Sequence, residues 1–229
     1  LHIDNCTYHH GGIFRRKRFY GITDRFKFVD GKLMVYLVEL TLEAYQGRLA
    51  LPGTLVLETE ELEAAVRRAY REATNQSIAY FEQVYTFSAI DRDPNRRVIS
   101  TAYMAFPKKD EAFRPSSKYS SGAWHYVNDA PPLAYDHDHI LNMCAKRIAA
   151  KLNYTTVALL LLPPEFTLTD LQSVYEQGLG EALDKRNFRK KVLSMDIIEP
   201  TGRKRKSEQS RPAMLYKAVK RKMKMIPLF

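Results

Sequence analysis

Three groups of side chains in this 229-residue chain have types and spacings that could do chemistry. The first is Asp91-Arg92-Asp93-Pro94. Two carboxylates flank a guanidinium whose planar fork can grip phosphate or sugar oxygens bidentately, and the proline restricts the residue before it. The same residues also suit a tight turn closed by its own side-chain hydrogen bonds, and both readings stand at this point. The second group is basic: Lys185, Arg186, Arg189 and Lys190 around Asn187, then Arg203, Lys204, Arg205, Lys206 and Arg211. Cations of this density neutralise phosphates, and Arg or Asn can read base edges; the bland alternative is a solvated helix face. The third group is Glu60, Arg68 and Glu72. The histidines carry no comparable signal. His137 and His139 are two residues apart and do not share a helix face. Cys6, His9 and His10 lack a second pair at structural-zinc spacing. No metal site and no cofactor are expected.

Glu60, Arg68 and Glu72 lie in residues 53–76, GTLVLETEELEAAVRRAYREATNQ. Leu62, Ala65, Val66 and Ala69 recur at helical spacing, which predicts an amphipathic helix after a short turn. Glu60, Glu61 and Glu63 stand at its start, where the macrodipole favours negative charge. The stretch resembles the Nudix box, Gly-x5-Glu-x7-Arg-Glu-Uaa-x-Glu-Glu-x-Gly-Uaa, with Uaa a bulky aliphatic residue. The best register puts Thr54 at the first glycine, Glu60 at the first glutamate, Arg68 at the arginine and Glu72 at the first member of the Glu-Glu pair. Ala69 and Ala73 then replace two carboxylates, and Asn75 replaces the closing glycine. In Nudix hydrolases those carboxylates hold divalent cations against a diphosphate. Mg²⁺ needs clustered oxygen ligands, so the resemblance implies the fold without its hydrolytic chemistry.

The flanking elements fit that order. Alternation at Phe26-Lys27-Phe28, a turn at Asp30-Gly31 and the apolar residues 33–38 predict a hairpin. A polar loop over 41–47 and a short strand over 49–51 lead into Pro52-Gly53. Strands are expected over 79–88 and 98–106, joined by the loop 89–97, with a further short strand over 124–127. Asp136 is read as the N-cap of a helix reaching about Leu152, and residues 153–164 as a connection. Thr167 with Asp170 predicts a capping box, with Leu168, Leu171, Val174 and Tyr175 as the buried face. A turn over 178–183 follows. Asp184 caps a second helix, whose Phe188, Val192 and Met195 face a core. Ile197-Ile198 and residues 213–218 are read as strands of a hairpin with a basic tip. A basic helix followed by such a hairpin is the pattern of a winged helix.

The length suits two small domains or one large one. Hydrophobic residues make up 45% of the chain, enough for a packed core. The net charge is +10, and it is unevenly spread: residues 1–150 hold 20 Lys and Arg against 18 Asp and Glu, whereas residues 151–229 hold 16 against 8. The excess points to an anionic partner for the C-terminal third. Two cysteines far apart are no disulfide framework, which suits a reducing cytoplasm. No apolar run approaches the roughly 18 residues of a membrane span, and the first dozen residues show no signal-peptide pattern. Residues 1–18 form an irregular basic segment, 19–153 the first domain, and 154–229 the second with a basic tail.

FTLTDLQSVYE (166–176), LDKRNFRKKVL (183–193) and RPAMLYK (211–217) resemble the winged helix of the NrtR family, Nudix-related transcriptional regulators. LAYDHDHIL (133–141), KLNYT (151–155), LLPPEF (161–166) and AIDRDPNRRVISTAY (89–103) resemble its linking region and Nudix-like domain. The resemblance implies an α+β chain: an N-terminal Nudix-like α/β/α sandwich and a C-terminal winged helix-turn-helix. It further implies a dimeric repressor on a palindromic double-stranded operator, sensing ADP-ribose or a pentose-type sugar. Asp91, Arg92, Asp93 and Glu72 are the expected ligand contacts. Lys185, Arg186, Asn187, Arg189, Lys190, Arg203, Lys204, Arg205, Lys206 and Arg211 are the expected DNA contacts. The competing readings are a Nudix hydrolase of nucleoside diphosphate derivatives and an RNA-binding adaptor.

Overall fold

A computed structural model describes residues 18–41, 45–94, 96–108, 121–206, 212–220 and 222–226. The expectations placed on Cys6, His9, His10 and Arg211 lie outside these residues. The long strand β1 (Arg18–Val29) organises the first domain. Its first eight residues run parallel to β6 (Val98–Pro107), and Tyr20, Gly21 and Ile22 among them also pair with β4 (Gly53–Leu55). Its last four residues pair antiparallel with β2 (Lys32–Glu39). β3 (Leu49–Ala50) and β7 (Gly122–Tyr126) join β2, and β5 (Ile78–Phe87) closes the other edge against β6. The Asp30-Gly31 turn falls as expected, with both residues at positive φ.

Alternation along β6 divides the core into two faces. Tyr103 and Ala105 join Val66, Tyr70 and Ile78 beneath α1 (Leu62–Thr74). Ala102, Met104 and Phe106 join the larger cluster that includes Ile140, Cys144 and Ile148 of α2 (His137–Leu152). A Cβ on Gly21 would stand 2.9 Å from Val66 Cγ2, so a glycine here lets α1 close onto β1. The α/β/α layering follows from this two-sided strand.

The second domain holds α3 (Ala158–Leu161), α4 (Leu168–Leu179), α5 (Lys185–Ser194), β8 (Ile198–Arg205) and β9 (Ala213–Ala218). Three expectations are corrected here. Residues 153–164 are not merely a connection: α3 is a helical turn with all four residues buried, because an apolar run gains more from the core than from solvent. α4 continues through Gly178 and stops at Gly180, whose φ of 75° is the left-handed cap that glycine adopts freely. Strand β8 extends to Arg205, so the first wing cations lie on a strand rather than in a loop. One cluster of buried side chains runs from Ile22 in β1 through α2 and α3 to Phe188, Val192 and Ile198, so the two domains share a core.

Candidate functional site

The loop after β5 is held from within. Arg97 Nη1 donates to the carbonyls of Ser88 (2.7 Å) and Ala89 (2.9 Å). Arg92 is 8% exposed. Its Nε and Nη2 donate to the two carboxylate oxygens of Asp136 at 2.9 and 2.6 Å, and Nη1 donates to Ser100 Oγ. The bidentate fork is therefore filled by a protein carboxylate. Asp136 does not cap α2 with its side chain; its charge goes to Arg92.

Two cavities meet at this ion pair and share Arg92 and Tyr135. The inner one, about 300 Å³, is lined by Tyr20, Ile22, Leu51, Asp93, Ser100 and His137 among others. The outer one, about 640 Å³, is more polar and includes Arg48, Thr86, Ser88, Asp91, Asp136 and His139. Of the expected ligand contacts, Arg92, Asp93 and Asp91 line these cavities. Glu72 lines neither.

His137 is fully buried on the inner wall, and its Nδ1 accepts the Leu51 N–H at 3.0 Å. Nε2 therefore carries the ring proton. Burial pushes its pKa down to about 4, outweighing the opposing pull of Asp136. Tyr135 has φ 57°, unusual for a residue with a bulky side chain. Its hydroxyl is pushed up to about 12 by burial, with Asp93 adding to the effect.

The second domain presents its cations on a braced frame. Thr167 and Asp170 form the expected capping box, and Asp184 accepts from the Asn187 N–H at 2.8 Å. The turn between α4 and α5 is tied by Gln172 and Glu176: Gln172 Nε2 donates to the Leu183 carbonyl and to Glu176, which accepts the Leu183 N–H. Phe188 and Val192 are buried, with Phe188 against Tyr175. Lys185, Arg186, Asn187 and Lys190 are exposed, whereas Arg189 is half-buried. In the wing, Arg203 pairs with Glu165 and Arg205 with Asp170 at 2.9 Å. Lys204 and Lys206 are exposed. Mutual backbone hydrogen bonds between Phe166 and Tyr216 (3.0 and 2.8 Å) stitch β9 to the start of α4.

A family model for the NrtR DNA-binding winged helix domain matches residues 158–218. The ADPR responsive transcriptional repressor NtrR of Acinetobacter baylyi is 32% identical over 193 residues, covering 82% of this chain and 76% of that protein. The chain belongs to the NrtR family. The crystal structure of Shewanella oneidensis NrtR complexed with a 27mer DNA resembles it with a TM-score of 0.77 at 31% identity, covering 87% of this chain and 93% of that one. The NUDIX domain of Shewanella oneidensis NrtR complexed with ADP ribose matches with a TM-score of 0.55 at 26% identity, over 61% of this chain and 94% of that one.

In this NrtR-family chain the residues at the Nudix-box positions form a structural knot. Arg68 donates to Glu60 through Nε (3.1 Å) and Nη2, to Thr54 Oγ1 (2.9 Å) and to the Leu55 carbonyl (3.0 Å), with Glu72 at 3.4 Å. Hydrogen bonds from Arg68, then from the Leu57 N–H, hold Glu60 below the usual carboxylate range. Ala69 and Ala73 are 0% exposed on the packed face of α1, where a carboxylate would lose its hydration. Asn75 keeps what the closing glycine supplies: it caps α1 at φ 53°, a conformation asparagine tolerates. Ser100 and Tyr135 are not among the residues the sequence singles out, and His137 is weighed there only as a metal ligand; Asp136 holds the expected N-cap position but gives its side chain to Arg92. An acidic residue just before a helix signals a cap, and nothing local shows that a buried arginine claims it.

Proposed function

We propose that this NrtR-family chain is a transcriptional repressor that binds a palindromic operator as a homodimer, through α5 and the wing. ADP-ribose in the cavities at Arg92 controls that binding. The observation that carries the reading is α2. It begins at the cavities with Asp136 and His137, runs about 24 Å at helical rise, and packs its far end on α4. A Cβ on Gly178 of α4 would stand 2.0 Å from Leu152 Cδ1, so the contact is close enough for a shift of one helix to move the other. A relative carries the name ADPR responsive repressor, and the NUDIX domain of another is complexed with ADP ribose; both support this effector over a pentose.

The chain is not a hydrolase in this reading, because Ala69 and Ala73 withdraw two carboxylates from the position where a cation would neutralise phosphoryl charge. The test is a gel shift with duplexes that tile the DNA upstream of the protein's own gene, any inverted repeat there being the candidate operator. ADP-ribose should release the complex. Release by a pentose instead would replace the effector, and preference for structured RNA would overturn the repressor assignment. Multiple metal-dependent turnovers of ADP-ribose would restore the hydrolase reading.

A further inference from the structure

The turn carrying Tyr135 is held in place from five directions. Arg48 Nη2 donates to the Leu133 carbonyl (2.7 Å), and the Asp138 carboxylate accepts the Leu133 N–H (3.1 and 3.2 Å). The Ala134 N–H donates to Leu49 O (2.8 Å), the His137 N–H donates to Ala134 O (3.2 Å), and the His137 ring accepts from Leu51 (3.0 Å). Bonds of this number can hold a tyrosine in the left-handed region at its conformational cost, and such strain gathers at ligand sites. The strained ring stands between Tyr45, 4.2 Å away, and His137, 5.4 Å away. It is also the wall shared by the two cavities.

The cavities differ in chemistry. The inner one offers Ile22, Leu40, Leu51 and Val98 around aromatic edges, at the small end of the about 300–1,000 Å³ typical of ligand sites. Its polar lining is Thr41, Arg92, Asp93, Ser100 and His137; the His137 ring, with Nδ1 taken by the Leu51 N–H, carries its proton on Nε2, a donor suited to a ring nitrogen. The outer one offers a cation, Arg48, with hydroxyls and carboxylates, a lining suited to phosphate and sugar.

We propose that Tyr135 is a specificity-determining residue: the planar nucleobase of a nucleoside diphosphate sugar lies in the inner cavity against its ring and within reach of His137, while the diphosphate and terminal sugar extend past it into the outer cavity. This deepens the effector reading and rests on it.

Calorimetry on the full chain, with ADP-ribose, AMP and ribose 5-phosphate as titrants, tests the assignment. Tyr135→Gly removes the ring at a φ that glycine adopts without penalty, and Tyr135→Asn does so with a second tolerant residue; unchanged far-UV circular dichroism verifies the fold of each. Both variants should lose about tenfold or more in affinity for ADP-ribose and AMP, the scale of one base–aromatic stack. Ribose 5-phosphate binding should be unaffected, and Tyr135→Phe should keep the parent affinity for all three. Parent-like ADP-ribose affinity in folded Tyr135→Gly or Tyr135→Asn overturns the assignment alone. Equal losses for ribose 5-phosphate and ADP-ribose overturn it in favour of a sugar in the inner cavity. A parent chain that binds neither ADP-ribose nor AMP overturns the effector reading as well.

Discussion

Arg92 illustrates how a residue can line a cavity without offering its charge to whatever enters it. Its guanidinium is committed to Asp136 and Ser100, so its removal is first a stability lesion. Truncating one partner of a buried ion pair costs about 3–5 kcal/mol, and Arg92→Ala should lower the urea midpoint accordingly. Asp93 lines the inner cavity, and calorimetry on Asp93→Ala, beside its own urea midpoint, probes effector contact there; a midpoint for Arg92→Ala equal to the parent's would show the Arg92–Asp136 pair to be unimportant. His137 gives a pH signature. Its folded pKa is depressed to about 4 from an unfolded value of about 6.5. The unfolded chain therefore binds more protons between those values, and stability is full above the upper one and falls as pH drops toward the lower. The loss is at most about 1.4 kcal/mol per pH unit. His137→Gln, whose carbonyl can still accept the Leu51 N–H, should show a shallower fall in urea midpoint from pH 7 to pH 5. Identical falls would assign the effect elsewhere.

At the scale of elements, the DNA contact proposed for the wing and α5 divides by what their side chains already touch. Lys204 and Lys206 are exposed, whereas Arg203 and Arg205 are drawn toward Glu165 and Asp170. Exposed pairs of this kind are worth only about 0–1 kcal/mol, so a phosphate can compete for the arginines. Arg186→Ala should cost roughly 1–3 kcal/mol and relax sequence preference, while Lys204→Ala should weaken all duplexes alike; fluorescence anisotropy on operator and scrambled duplexes separates the two patterns. Glu165→Gln should tighten both duplexes, since it releases Arg203 from its internal partner. Elements whose signals are local were legible in the sequence. The Thr167–Asp170 box, the Asp184 cap and the Asp30-Gly31 turn are each written within four residues, and each is found. What was not legible depends on distant partners. The burial of residues 158–161 needs the sheet beneath them. The choice of Asp136 between capping α2 and pairing with Arg92 is decided across 44 positions. The left-handed Tyr135 is imposed by bonds to Leu49, Leu51 and Arg48, none of which a local propensity records.

At the scale of the molecule, the shared core decides how the chain comes apart. The chain has one tryptophan, Trp124, in the first domain's sheet. Its fluorescence and the far-UV signal, which sums the helices of both domains, should change at the same urea concentration; separated midpoints or a two-step far-UV curve would mean that the domains unfold independently. The same continuity, from Ile22 through α2 to Val192, makes traffic between the two ends run both ways. If filling the cavities weakens the hold on DNA by some factor, then holding DNA must weaken the cavities' affinity for their ligand by that same factor. An operator-bound chain is then a poorer sensor than a chain free in solution. The ligand concentration that empties an operator lies above the one that half-fills the unbound protein, and the ratio of the ligand's affinities for the two forms measures the coupling free energy between cavities and DNA.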